Sequence, residues 1–81
     1  MEYVLVSKYR RDMLEVHKLI EHPPSTWAKY AGAKEGYQHI IEMEMKELEK
    51  NHLDGDYHGY VENLIHVAAA CVWAHNNMTC K

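Results

Sequence analysis

The segment KEGYQHIIEMEMKELEKN, residues 34–51, has the spacing of an amphipathic helix whose apolar side contains two acids. At about 100° per residue, one arc of this helix collects the apolar side chains Tyr37, Ile40, Ile41, Met45 and Leu48. Glu44 falls in the middle of that arc, and Glu47 lies beside it. A carboxylate turned towards a core is costly unless it is paired, hydrogen-bonded or bound to a metal. The two acids therefore indicate either a carboxylate site or a helix edge where they pair with Lys or Arg.

Length and charge limit the kinds of protein that this chain can be. Its 81 residues are enough for one domain, residues 1–81, and they carry a formal charge of −3 with the histidines neutral. A chain of this size buries only about 60% of its unfolded surface, so we expect a homo-oligomer, a dimer or tetramer, to complete the core. The negative charge argues against a broad phosphate-backbone footprint. No nucleic-acid polymer is expected as a partner.

The cysteines and the apolar segments indicate a cytoplasmic protein. Cys71 and Cys80 lie nine residues apart, which is too far for a disulfide if a helix joins them. The first residues lack the basic and long apolar segments of a signal peptide. The longest apolar stretch, residues 67–74, is far shorter than the ~20 residues that a membrane-spanning helix needs. We therefore expect the reduced cytosol and no membrane partner.

Prolines divide the first half of the chain into helices. Apolar residues at helical spacing predict a first helix over about residues 4–21, which ends before Pro23 and Pro24. Either Ser25 or Thr26 is expected to cap the short helical run that follows.

The second half of the chain predicts a helical hairpin. The sequence Asp-Gly-Asp at residues 54–56 predicts a turn, after which a last helix runs over about residues 60–77. Because the connection is short, the two long helices should be antiparallel neighbours. Strand signals are weak apart from residues 3–6. The predicted fold class is all-α, a small helical bundle with a long antiparallel helix pair and an N-terminal helix, completed by oligomerisation.

The last helix has a wide apolar side, which is expected to face the core. Its members are Tyr60, Val61, Leu64, Ile65, Val67, Ala68, Cys71, Val72, Ala74 and Met78. The small residues 68–70 should let another helix approach closely. Trp73 falls on the opposite, polar side, so it is predicted to form a second contact surface at a subunit interface.

Polar residues near the start of the last helix form a candidate metal site with the acids of the previous helix. Glu44 and Glu47, at i and i+3, can converge on one point. In an antiparallel pair they face the turns that carry Glu62, Asn63 and His66. Oxygen-rich ligands with one imidazole suit Mg²⁺ or Mn²⁺. The alternative for the last three residues is a solvated helix face, where Glu near a helix start is favoured by the dipole.

The sequence EMKEL at residues 44–48, followed after a turn by NLIHVAA at residues 63–69, resembles a known motif. It is similar to the motif of the MazG-like all-α nucleoside triphosphate pyrophosphohydrolases, which reads Glu-Glu-x-x-Glu, a spacer, then Glu-x-x-Asp. The Ala-rich run after His66 also resembles the phage-type dATP/dGTP diphosphohydrolases. The resemblance covers roughly residues 39–75.

The match to that motif is partial. Glu44 and Glu47 match by identity, whereas Met43 replaces the first acid, Asn63 the third Glu and His66 the Asp. The resemblance implies that Glu44 and Glu47 are catalytic metal ligands. It implies that Asn63 and His66 complete or support the metal shell.

The resemblance also implies an activity. Mg²⁺ (or Mn²⁺) held by helix carboxylates would bind a nucleoside triphosphate, and water activated by the metal and a Glu would attack the α–β linkage, releasing monophosphate and pyrophosphate. Trp27 and Tyr30 are candidates for stacking on the base, and Lys29 and Lys34 for binding the phosphates. The alternative for the two aromatic residues is packing over the bundle.

The missing acids at Met43 and Asn63 leave a second interpretation. The chain could be a non-catalytic helical binding module, which sequesters a nucleotide or docks onto a protein partner. Glu44 and Glu47 would then pair with basic groups across an interface.

Overall fold

Residues 2–79 fold into four helices with short connections. The computed structural model describes residues 2–79, with the side chains of residues 9–79. The helices are α1 (Glu2–Glu21), α2 (Ser25–Tyr30), α3 (Lys34–Asp54) and α4 (Tyr57–Thr79). No strand occurs within residues 2–79, and residues 3–6 belong to α1. The predicted all-α class is therefore confirmed, and α4 is longer at both ends than predicted. Cys80 lies outside the described residues.

Two prolines separate α1 from α2, as predicted, but the expected cap of α2 is wrong. Pro24 occupies the N-cap position, with extended backbone angles, and no side chain caps the helix. The carbonyl of Pro24 accepts a hydrogen bond of 2.9 Å from the backbone N–H of Trp27. Because ψ of Pro24 is 147°, outside the helical range, the helix begins at the residue that follows it. Ser25 and Thr26 therefore already lie inside the first turn.

The turn between α3 and α4 lies at the predicted residues. Gly55 ends α3 with φ of 72°, a conformation that is costly for other residues. Its N–H donates to the carbonyl of His52, and the N–H of Asp56 donates to the carbonyl of Asn51. The Asp56 side chain then caps α4, since its Oδ1 accepts a hydrogen bond of 2.9 Å from the N–H of Gly59. This tight reversal makes α3 and α4 antiparallel neighbours.

The remaining helices pack on this pair, α1 against α4 and α2 against α3. The approach of α2 is close at Gly36, where a Cβ would collide with the backbone carbonyl of Tyr30. The hydroxyl of Tyr37 accepts a hydrogen bond of 2.9 Å from the N–H of Gly32, in the connection between α2 and α3. Trp27 on α2 is thereby held over the α3–α4 pair.

An aromatic cluster forms the centre of the core. The ring of Trp73 lies 5.2 Å from that of Trp27, and 5.1 Å from that of Tyr37 in an edge-to-face arrangement. The buried hydrophobic residues of the described chain are Trp27, Tyr37, Ile40, Ala69, Ala70, Trp73 and Ala74. The prediction that Trp73 forms a separate, exposed contact surface is wrong, because this residue is buried.

The orientation of α4 accordingly differs from the predicted one. The helix is turned so that Ala69, Ala70 and Trp73 face inwards. The predicted apolar side is divided: Ala74 is buried, whereas several other members lie on the surface. We call four of these the outer stripe, which consists of Val61, Leu64, Ala68 and Val72. Of the small residues 68–70, Ala69 and Ala70 are buried, whereas Ala68 is exposed. Within residues 2–79, no helix is long and apolar enough to cross a membrane.

Candidate functional site

Glu44 lies at the contact between α2, α3 and α4. Its side chain is only 13% exposed, as its position in the apolar arc predicts. The indole N–H of Trp27 donates a hydrogen bond of 3.2 Å to its Oε2. On the other side, its Oε1 lies 3.6 Å from Nδ1 of His66. The carboxylate is therefore held between an aromatic donor and an imidazole, which offsets part of its desolvation.

His66 reaches Glu44 from the facing helix. The contact crosses the antiparallel pair, so it joins the two parts of the sequence pattern that suggested a site. The His66 side chain is 39% exposed, which leaves one edge of the imidazole open to solvent. When His66 is protonated the pair attracts electrostatically, at a partly buried position where screening is weaker than on the surface.

Glu47 is exposed, although it lies one helical turn from Glu44. The described contacts of α2 with α3 include the beginning of that helix, at Gly36, and α1 packs on α4. The chain thus presents one enclosed and one exposed carboxylate along the same side of α3. The interpretation of Glu47 as an acid at a helix edge fits its position. Its role as a metal ligand stays a prediction.

Asn63 takes part in a hydrogen-bond network beside the turn. Its Nδ2 donates to Oδ1 of Asn51, and Nδ2 of Asn51 donates over 3.3 Å to Oδ2 of Asp56. Asn63 therefore connects α4 to the end of α3 and to the residue that caps α4. The structure brings Asn63 to the α3–α4 contact, as predicted. Its amide nitrogen, however, donates its hydrogen bond to Asn51 beside the turn.

The four candidate substrate residues fall into two groups. Trp27 is fully buried, and its ring packs in the core as the alternative interpretation expected. Tyr30 is 38% exposed, with its ring 4.6 Å from that of His39. Lys29 and Lys34 are exposed at the surface. A base could reach Tyr30 directly, but it could reach Trp27 only if the aromatic cluster opened.

An open groove lies beside His66. It has a volume of about 260 Å³, and it is lined by Glu15, Leu19, Glu62, Ile65 and His66. Glu62, one of the residues considered for the site, also lies 3.5 Å from Nε2 of His58 on its own helix. The groove runs between α1 and α4, so the exposed edge of the imidazole faces solvent that a ligand could replace.

The hydrogen bond between Trp27 and Glu44 is the part of the site that the sequence did not predict. Glu44 was expected to be a metal ligand, and Trp27 was expected to stack on a base or to pack over the bundle. A Trp that follows a proline break has no fixed position relative to α3. A buried acid does require donors, and an indole N–H is a donor that also fits an apolar setting. This is the signal that could have linked the two residues.

Metal-ligand side chains do not cluster in threes in the part of the chain with described side chains. The contact between Glu44 and His66 brings two such groups together. In comparisons with known proteins, the chain matches no family model, no curated protein and no solved structure.

Proposed function

We propose that this chain is a metal-dependent nucleotide pyrophosphohydrolase-like protein, which converts a nucleoside triphosphate, ribo or deoxyribo, to a monophosphate and pyrophosphate. The observation that carries the proposal is the enclosed carboxylate of Glu44, 3.6 Å from His66 across the helix pair. These positions correspond to the two halves of the motif that the sequence resembles. Acids held inside helical bundles are a common way to build such sites.

The donor groups fit Mg²⁺ that arrives with a nucleotide. Magnesium in nucleotide sites is usually held by one or two carboxylates together with phosphate oxygens and water, instead of a cage of protein groups. Glu44 and Glu47 supply two carboxylates one turn apart, and His66 lies next to the first. These residues would hold the metal in this proposal. The bound metal would supply neutralisation of phosphate charge and a more acidic water.

The side chains of the site would share the remaining tasks. The Trp27 indole N–H fixes Oε2 of Glu44, so its Oε1 is directed towards His66. Glu47 is exposed and would accept the proton of the attacking water. The water oxygen bonds to a phosphorus of the α–β bridge, and the bond from that phosphorus to the bridging oxygen breaks. Lys29 and Lys34 would attract the phosphates.

A double variant tests this proposal. Glu44→Gln with Glu47→Gln preserves side-chain shape but removes both charges. We expect it to remain folded and to lose at least about 100-fold of metal-dependent pyrophosphate release, since metal ligands and the proton acceptor are removed. The matched control is Glu42→Gln with Glu49→Gln, because these acids are exposed on another side of α3. A folded Glu44/Glu47 variant with unchanged turnover would remove both residues from the mechanism.

The non-catalytic binding module is the second candidate, because Glu44 already has two partners within the protein. A thermal-shift titration with Mg²⁺ or Mn²⁺ and a panel of triphosphates separates the candidates, since ligands of the native state raise Tm. A metal-dependent nucleotide shift with pyrophosphate release supports the enzyme. A shift without release supports nucleotide sequestration, and the lack of any shift favours a protein-binding module.

A further inference from the structure

The outer stripe of α4 is a row of apolar side chains on the surface, on the side of the helix away from Trp73. Val61 is 43% exposed, Leu64 45% and Val72 49%, and Ala68 is exposed between them. Their spacing of three, four and four residues aligns them along about three turns of the helix. Since the other side of α4 carries the core residues, this helix is apolar on two opposite sides.

A helix that is apolar on both sides is normally covered on both sides. Both α1 and α3 pack on α4, yet the outer stripe remains exposed in the described part of the chain. No charged residue interrupts the outer stripe, so nothing on it opposes contact with another apolar surface. The composition of the helix therefore favours a covering partner, and the accessible area of the chain can be compared with the area that a dimer interface needs.

The accessible surface of the chain is 6538 Å². A compact monomer of its mass, 9.5 kDa, is expected to expose about 5,000 Å². The excess is about 1,500 Å², whereas a stable protein interface covers about 800 Å² or more of each partner. The dimensions of 39 × 38 × 18 Å explain the excess, because the molecule is a slab with two broad sides. A second copy can cover one of these sides.

We propose that the outer stripe is the interface of a homodimer, in which α4 of one chain packs on α4 of a second copy across a two-fold axis. Ala68 lies near the middle of the stripe, where its small side chain lets the two helices approach closely. Leu64 and Val72 flank it and fill the contact on either side. The inference does not depend on the nucleotide site, since Glu44 and His66 lie on the inward side of the helix pair.

The mass in solution, measured by light scattering, tests the proposal. We expect about 19 kDa, twice the 9.5 kDa of one chain, at protein concentrations near 100 µM. Leu64→Glu places two charges in the interface and should raise the dissociation constant at least about 100-fold. The control is Leu53→Glu, because Leu53 is 75% exposed at the end of α3 and lies outside the stripe. It should leave the mass unchanged.

A cross-linking experiment keeps the test valid if the separated Leu64→Glu chain unfolds. Ala68→Cys, in a chain with Cys71→Ser and Cys80→Ser, should form a disulfide-linked dimer on mild oxidation, since the two positions meet at the axis. Glu42→Cys in the same background is the control and should remain unlinked. A monomeric wild-type chain overturns the proposal. It does so even if the monomer binds lipid vesicles, because the stripe would then have a different partner. A dimer that Leu64→Glu leaves intact and Ala68→Cys fails to link also overturns the proposal.

Discussion

Glu44 is held by residues from two other helices, since Trp27 on α2 and His66 on α4 both contact its carboxylate. Its place in the apolar arc of α3 is compatible with an enclosed acid or with an acid at a helix edge, and the packing of α2 and α4 decides for the enclosed position. The same two interpretations follow from the sequence for Glu47, and this side chain is exposed. Both acids have similar phases on α3, but burial also depends on which neighbouring helix covers each turn. That information lies in the tertiary arrangement and not in the period of one helix.

The hydrogen bond from Trp27 to Glu44 should be measurable as stability. Trp27→Phe removes the indole donor and leaves an enclosed carboxylate with one partner fewer, at a cost of about 1–3 kcal/mol beyond lost packing. Trp73→Phe is the matched control, because it changes the same ring type within the same cluster. Urea unfolding followed by circular dichroism gives both free energies. Equal losses for the two variants would assign the effect to packing alone.

At the scale of helices, the number of elements, the proline break and the α3–α4 turn could all be predicted. Glycine and proline act locally, so their effects are visible in sequence. The orientation of α4 could not be predicted, because apolar residues occur nearly all around this helix and its period selects no single face. The aromatic cluster decides the orientation. Trp27 reaches Trp73 only after α2 has docked on α3, and no local pattern encodes that contact.

The cap at the start of α4 gives a prediction at this scale. Asp56→Ala removes the acceptor for the N–H of Gly59 and a partner of Asn51, which should destabilise the chain by about 0.5–2 kcal/mol. Asp54→Ala is the control. Asp54 is exposed at the end of α3, where the helix dipole disfavours a negative charge, so its loss should be neutral or slightly stabilising. Thermal unfolding of both variants provides the comparison. An Asp56→Ala variant as stable as the parent would contradict the capping role.

At the scale of the whole molecule, the fold is a thin slab with a small core. Chain length alone predicted that a partner would be needed. It could not identify the surface, and the expected interface at Trp73 proved to be part of the core. The exposed apolar side lies instead on the outer stripe, whose residues were expected to be buried. The two errors have the same origin, since both follow from the rotation of α4.

If two copies share the outer stripe, thermal stability must depend on protein concentration. A 100-fold increase in concentration should raise Tm by about 5–10 °C, because association is coupled to folding. The Tm of the Leu64→Glu variant should not change over the same range. Scanning calorimetry at several concentrations measures both. A wild-type Tm independent of concentration would speak against a dimer that stabilises the fold.

The short α3–α4 turn also sets an order of events in folding. Asn51 and Asn63, which are hydrogen-bonded across the hairpin, are only twelve residues apart in sequence. Contacts between such near neighbours form early, because closing a short loop loses little chain entropy. Trp27 lies 46 residues from Trp73 in sequence, so we expect it to dock after the hairpin has formed. Tryptophan emission, which reports this docking, should then change later than the part of the helical circular dichroism that the hairpin contributes.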